Sequence, residues 1–214
     1  MHMNKTNSII TIGRTYGSAG REVGKLLAEE FGLKWYDKDL LKRAAQESGL
    51  TPELFQRHDE KNKSSFLYSM VMDVNAMSHS TGIFPDLPLN HKVFLAQFDA
   101  IKKIADEGPC VLIGRCADYA LEDRKDVVSV FMHATLSDRI RRIAKLYDLT
   151  DAQAKQKILK ADKERANYYN YYTNKKWSDA TGYQLCLDTS ALGGVKGTVE
   201  MIKQYLLTKE NIAL

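Results

Sequence analysis

The stretch TIGRTYGSAGREVG, residues 11–24, holds residue types that bind phosphate: closely spaced glycines, a hydroxyl and a basic side chain at a helix start. A loop between a strand and a helix presents backbone N–H groups and the positive end of the helix dipole to an anion. Gly17 and Gly20 let the backbone approach closely, Ser18 and Ala19 lie between them, and Arg21 adds a formal charge. Set against G-x-x-x-x-G-K-[ST], Thr15 stands at the first glycine, Arg21 at the lysine and Glu22 at the metal-binding hydroxyl. Arginine keeps the charge but brings a planar fork on a longer stem. Two roles fit Glu22: a Mg²⁺ ligand, direct or through water, or an acid complementing the helix dipole, which asks less of the chain. A dinucleotide fingerprint is the rival reading of the loop, since Asp37 ends the next strand. No G-x-G is present, however. A turn using its glycines only for packing is the third reading.

The elements that must position this loop follow from periodicity. Short β-branched or apolar runs at 8–12, 33–37, 110–114, 127–132 and 184–188 read as buried strands. Between them lie helical patterns, the first with Val23, Leu26, Leu27 and Phe31 on one face, others at 38–49, 91–109, 136–147, 151–173 and 195–207. On the helix at 91–109 the apolar face is expected to hold Phe94, Leu95, Phe98, Ile101 and Ile104. Strands alternating with helices imply an α/β fold, a five-stranded parallel sheet with helices on both faces. Ligands of such sheets bind at the carboxyl ends of the strands. Those ends carry Gly13, Asp37, Gly114–Arg115, His133 and Asp188.

Length and composition set the bounds. The chain has 214 residues, enough for one substantial core or a core plus a small subdomain. A net charge of +4 fits an enzyme of small anions as well as a weak nucleic-acid binder. No apolar run is long enough to span a bilayer, and the polar start MHMNKTNS resembles no export signal. Three scattered cysteines suggest neither a disulfide framework nor a metal site, so the expected location is cytoplasmic. His133 reads as a structural hydrogen-bonding residue.

The loop, YDKDLLKRAA, CVLIGRCADYAL, SDRIRRI and DKERANYYNYYTNKKWSDATGYQLCLDTSALG together resemble the cytidylate kinase-like proteins, relatives of the nucleoside monophosphate kinases, from about residue 8 to 205. The resemblance implies a P-loop fold in one domain over 1–214. It implies an acceptor-binding subdomain at 38–91 and a mobile lid at about 150–180. It implies ATP and Mg²⁺, with Gly17, Ser18, Ala19, Gly20, Arg21 and Glu22 around the donor phosphates and Glu22 toward the metal. Asp37, Arg43, Arg115 and Asp162 are then expected at the acceptor, most simply CMP or dCMP, with Asp162 helping to read the base. Arg21, Arg115, Arg139, Arg142 and Arg165 are expected to serve catalysis. Cys116 replaces an aspartate of the family pattern, and Ile158 stands where a lid arginine is usual. Partners are expected to be small-molecule nucleotides, with no nucleic acid and no membrane. Nucleotide binding without turnover, and a kinase with another acceptor, remain open.

The chemistry is coherent without the name. Phosphoryl transfer needs donor and acceptor held in line while charge on the transferring oxygens is neutralised. Arginines suit it because each contacts phosphate with two donors. The bland alternatives are a solvated face for Arg139 and Arg142 and packing for the aromatics in YYNYYTNKKW.

Overall fold

Five short apolar runs pair as a parallel sheet in the order β2-β3-β1-β4-β5. In the computed structural model, residues 5–37, 43 and 89–210 are described. The expected helix at 38–49, Arg43 apart, lies outside them, as does the expected acceptor-binding subdomain at 38–91 except for Arg43 and residues 89–91. The strands are β1 (Ile9–Arg14), β2 (Lys34–Tyr36), β3 (Cys110–Ile113), β4 (Val127–His133) and β5 (Leu185–Asp188). The helices are α1 (Gly20–Phe31), α2 (Leu89–Asp106), α3 (Ala117–Ala120), α4 (Leu136–Tyr147), α5 (Asp151–Thr173) and α6 (Val195–Glu210). The chain divides into two compact units, Met1–Asp37 with Ile104–Leu214, and Lys38–Lys103.

In the first unit β1 is central. Ile10 sits opposite Val111 and Val128, and Ile12 opposite Ile113 and Val130. Alternation sends these side chains to one face, where they form a core with Val23, Leu27, Ala28 and Phe31 of α1 and Val199, Ile202 and Leu206 of α6. Burying each such aliphatic side chain is worth about 1.5–3 kcal/mol. β1 runs two residues beyond the expected end, so Gly13 and Arg14 belong to the strand and Arg14 pairs with Met132.

In α2 the expected apolar face is rotated. Val93, Gln97, Ala100, Ile101 and Ile104 are buried, Phe94 and Phe98 are half-buried and touch each other, and Leu95 is exposed. The stripe follows the spacing 93-97-100-104, which the larger but off-register phenyl rings obscure in the sequence.

The long helix α5 is entered through a capping box in which Thr150 and Gln153 satisfy each other's backbone N–H groups. Its buried residues Ala154, Ile158, Tyr169 and Thr173 lie on one stripe. Asp162 and Arg165 occupy the middle of that stripe, so helical spacing alone turns them toward the body. Ile158 packs with Ile143 and Ala154 in a small second core between α4 and α5.

Gly24 lets α1 lie flat on the sheet: a Cβ there would come within 2.9 Å of Ile12 and 3.0 Å of Ile113. Gly24→Leu is therefore expected to destabilise the protein by about 1–3 kcal/mol through overpacking. Denaturant unfolding should show a lower midpoint with an unchanged slope.

Candidate active site

The first turn of α1 opens directly behind β1. Its N-cap is Ala19, in the left-handed conformation at φ 64°, and no side chain caps the turn. An alanine cannot accept from the first N–H groups, so this helix start suits an anion supplied from outside. Gly17 also has positive φ, 86°, and packs against Arg139 and Ile143 of α4. Ser18 is buried and its hydroxyl donates to the Thr15 carbonyl at 2.9 Å, which closes the loop. Thr15 Oγ1 and Arg139 Nε are buried beside the loop without a hydrogen-bond partner. Unspent polar groups of this kind fit a site built for a phosphate.

Charge gathers around this turn. Arg21 Nε lies 2.9 Å from Asp37 Oδ2, at the end of β2, and its guanidinium sits 5.6 Å from the Trp35 ring centre. Arg14 Nη2 is 3.8 Å from the other oxygen of Asp37. Arg142 holds Glu22 at 2.8 Å. Asp162 bridges α5 to the loop: Oδ1 accepts from Tyr16 N at 2.6 Å and Oδ2 from Arg139 Nη1 at 2.5 Å. Arg139 also donates to the Tyr16 carbonyl. It is thus a half-sequestered bridging residue and not a solvated one.

Arg165 donates to the Arg14 carbonyl at 3.0 Å and stacks over Tyr16 at 5.2 Å. Burial pulls its guanidinium below its ordinary value. Asp162, Tyr16 and Asp37 act the other way, and the charge of Arg115 adds to the depression. Arg115 itself sits in an unusual turn. Gly114, Arg115 and Cys116 have successive φ values of 74°, 60° and 55°. Left-handed non-glycine residues cost about 1–2 kcal/mol each. The turn is tied by Gly114 N to Ile12 O and by Ala117 N to Gly114 O. Arg43 is helical and belongs to the second unit.

Among the described residues around the loop, the six guanidiniums of Arg14, Arg21, Arg115, Arg139, Arg142 and Arg165 outnumber the three carboxylates of Glu22, Asp37 and Asp162. The excess of positive charge favours a polyanion. For a metal, Glu22 and Asp37 are the acids at hand, each paired with arginine. Among the described residues there is no cluster of three or more metal-binding side chains. One or two carboxylates with phosphate oxygens and water are enough for Mg²⁺, so the residues fit it.

The sequence profile of the cytidylate kinase-like family matches residues 9–191. The chain belongs to the cytidylate kinase-like family. The cytidylate kinase of Methanopyrus kandleri is 27% identical, over 85% of this chain and 84% of that protein. A solved structure of an uncharacterized protein from Eubacterium ventriosum is 26% identical with a TM-score of 0.68, covering 93% of this chain and 98% of that one. The shikimate kinase of Bacteroides thetaiotaomicron superimposes with a TM-score of 0.53 over 93% of this chain and 98% of that one, at 15% identity, and so shares the fold alone. Family and fold are those of P-loop kinases. No helix among the described residues is long and apolar enough to cross a membrane.

Three residues of the site carry no motif signal in the sequence. Tyr16 offers its amide and its ring to α5, Arg14 projects from the end of β1, and Asp118 anchors α5. The Tyr169 hydroxyl donates to Asp118 Oδ2 at 2.7 Å, tying α5 to α3. Nearby, Phe131 packs on Trp177 and Tyr183 at 5.3 and 5.0 Å, and Tyr168 on Tyr172 at 4.8 Å, so most of the aromatic run serves packing. Cys116 is buried and its thiol is pushed up by that burial, which leaves it unreactive at neutral pH.

Burial raises the Asp118 carboxyl above its ordinary 3.8, against the Tyr169 hydrogen bond, which lowers it. A raised folded-state value means the fold favours the protonated acid. The stability this acid contributes is complete below the unfolded value and is lost as pH rises through the folded one. Asp118→Asn keeps an acceptor oxygen for Tyr169 and cannot ionise. Its thermal stability relative to wild type is expected to climb as pH rises from 3.8. Melting curves across that range that run parallel or converge the other way would contradict this.

Proposed function

We propose that this protein transfers the γ-phosphoryl group of ATP to a nucleoside monophosphate, with CMP or dCMP as the expected acceptor. The observation that carries the reading is the excess of guanidinium groups around an uncapped helix start at the carboxyl end of the central strand. Membership in the cytidylate kinase-like family supports it. In this reading the first-turn amides of α1 and the loop at Gly17–Gly20 hold the donor phosphates. Arg115 and Arg43 grip the acceptor phosphate, while Arg139 and Arg165 close over the site from α4 and α5. Residues 38–91 bind the acceptor and residues 150–180 serve as the lid. Mg²⁺, when bound, neutralises the oxygens of the transferring group. Glu22 or Asp37 would hold it, each exchanging its arginine for the metal. The buried thiols of Cys110 and Cys116 suit a reducing cytoplasm.

One observation favours a broader acceptor range. Both carboxylate oxygens of Asp162, the expected base reader, are engaged by Tyr16 and Arg139. Reading cytosine through Asp162 would have to share oxygens that already hold the loop and α4 in place. A kinase that selects its acceptor by phosphate and sugar, with weak preference among bases, is consistent with that engagement.

ADP release coupled to NADH oxidation, across CMP, dCMP, UMP, AMP and GMP with Mg²⁺ present, tests both readings. Turnover is expected with CMP or dCMP as the best acceptor by kcat/KM. Comparable values across all bases would favour the broader reading, and folded protein inactive with every monophosphate would sink the proposal.

A further inference from the structure

The loop pattern assigns the lysine's work to Arg21, but the geometry points to a different residue. We propose that Arg14 supplies the cation that faces the transferring phosphoryl group, and that Arg21 acts on the rim as a positioning residue; this rests on the phosphotransfer reading above. Strand alternation puts Arg14 on the same face as Ile10 and Ile12, the face that α1 covers, at the carboxyl end of the central strand. Its side chain therefore crosses the mouth of α1. The Arg14 side chain is 20% exposed, against 60% for Arg21.

Two glycines make room for it. A Cβ on Gly20, the first residue of α1, would lie 2.8 Å from the Arg14 Cβ. One on Gly114 would lie 1.9 Å from the Arg14 Nη1 atom. The stem thus runs against the start of the phosphate-binding helix, and the guanidinium rests on the turn that carries Arg115. A phosphate held by the first-turn amides lies beside the Arg14 stem, and an acceptor held by Arg115 lies beside its head. Arg14 spans the two.

Arg21 is held elsewhere. It hydrogen-bonds Asp37 at 2.9 Å and lies over Trp35, both at the β2 side. Asp37 is shared, and its weaker partner is Arg14 at 3.8 Å, beyond hydrogen-bond distance. Arg165 fixes the Arg14 backbone from above through its carbonyl.

In the step itself, the bond from the γ-phosphorus to the bridging oxygen of ADP breaks and ADP keeps the electron pair. An oxygen of the acceptor phosphate dianion forms the new bond, so no proton has to be removed. Arg14 neutralises charge on the oxygens that pass between the two, and a bidentate fork matches that geometry better than a point charge.

The test uses the full chain and three variants, Arg14→Met, Arg14→Lys and Arg21→Met, each checked for folding by circular dichroism and thermal melting. Arg14→Met is expected to lower kcat by about 10²–10³-fold, as for loss of a transition-state donor. Arg14→Lys should recover part of that loss. Arg21→Met should cost less than about tenfold, as for an exposed ion pair. An Arg21→Met loss equal to or larger than that of Arg14→Met overturns the proposal. If wild type turns over no acceptor, the functional reading fails on its own, and Arg14 is judged by pyrophosphate binding in calorimetry. There, a larger loss of affinity for Arg14→Met than for Arg21→Met supports it and the reverse order overturns it. If Arg14→Met does not fold, Arg14→Lys against Arg21→Lys decides by the same order.

Discussion

The close approach of α1 to the central strand is the constraint from which the site follows. Gly24 lets the helix settle against Ile12 and Ile113, and Gly20 lets its first turn touch the stem of Arg14. A side chain at either position would push the helix away from the sheet. With the helix seated, its positive end opens at the carboxyl edge of β1, beside the ends of β2 and β3. Everything charged in the site is arranged around that opening.

The arrangement is electrostatically one-sided. Among the described residues, each acid beside the loop is bridged to arginine: Asp37 to Arg21 and Arg14, Asp162 to Arg139, Glu22 to Arg142. Such pairs hold the guanidiniums in place without cancelling the excess. Partial burial makes the same charges matter more, because solvent screens them less. The left-handed run at Gly114–Cys116 belongs to the same design. Its strain is tolerated because the turn is bonded to β1 and to α3, and it ends the strand before Arg115.

Helix α5 shows how packing and charge share one surface. Ala154, Ile158, Asp162, Arg165, Tyr169 and Thr173 fall on a single stripe of α5, so the apolar residues that dock the helix also aim its charged pair at the loop. Ile158, where the family pattern has an arginine, is part of the α4–α5 core. A guanidinium there would have to be buried, and the isoleucine exchanges a charge for docking. Asp118 and Tyr169 then secure the far half of the helix to α3.

Much of this was legible in the sequence. Alternating apolar runs and 3.6-residue periods defined five parallel strands and their helices, because burial on both faces of a parallel sheet leaves a strong pattern. The glycines of the loop and the arginines after the strands pointed to a phosphate site by residue type. What the sequence could not decide was which charge meets which. Arg14 lay hidden as the last residue of a strand, although its period-two relation to Ile10 and Ile12 already gave its side. Asp162, expected at a base, also joins Tyr16 to Arg139. Those pairings depend on distances between segments remote in sequence, some more than a hundred residues apart, and only the folded chain brings them within reach of a hydrogen bond. Local periodicity determines the elements; the division of charge among the arginines is a property of the tertiary structure, because electrostatic partners are chosen by proximity and burial and leave no period behind.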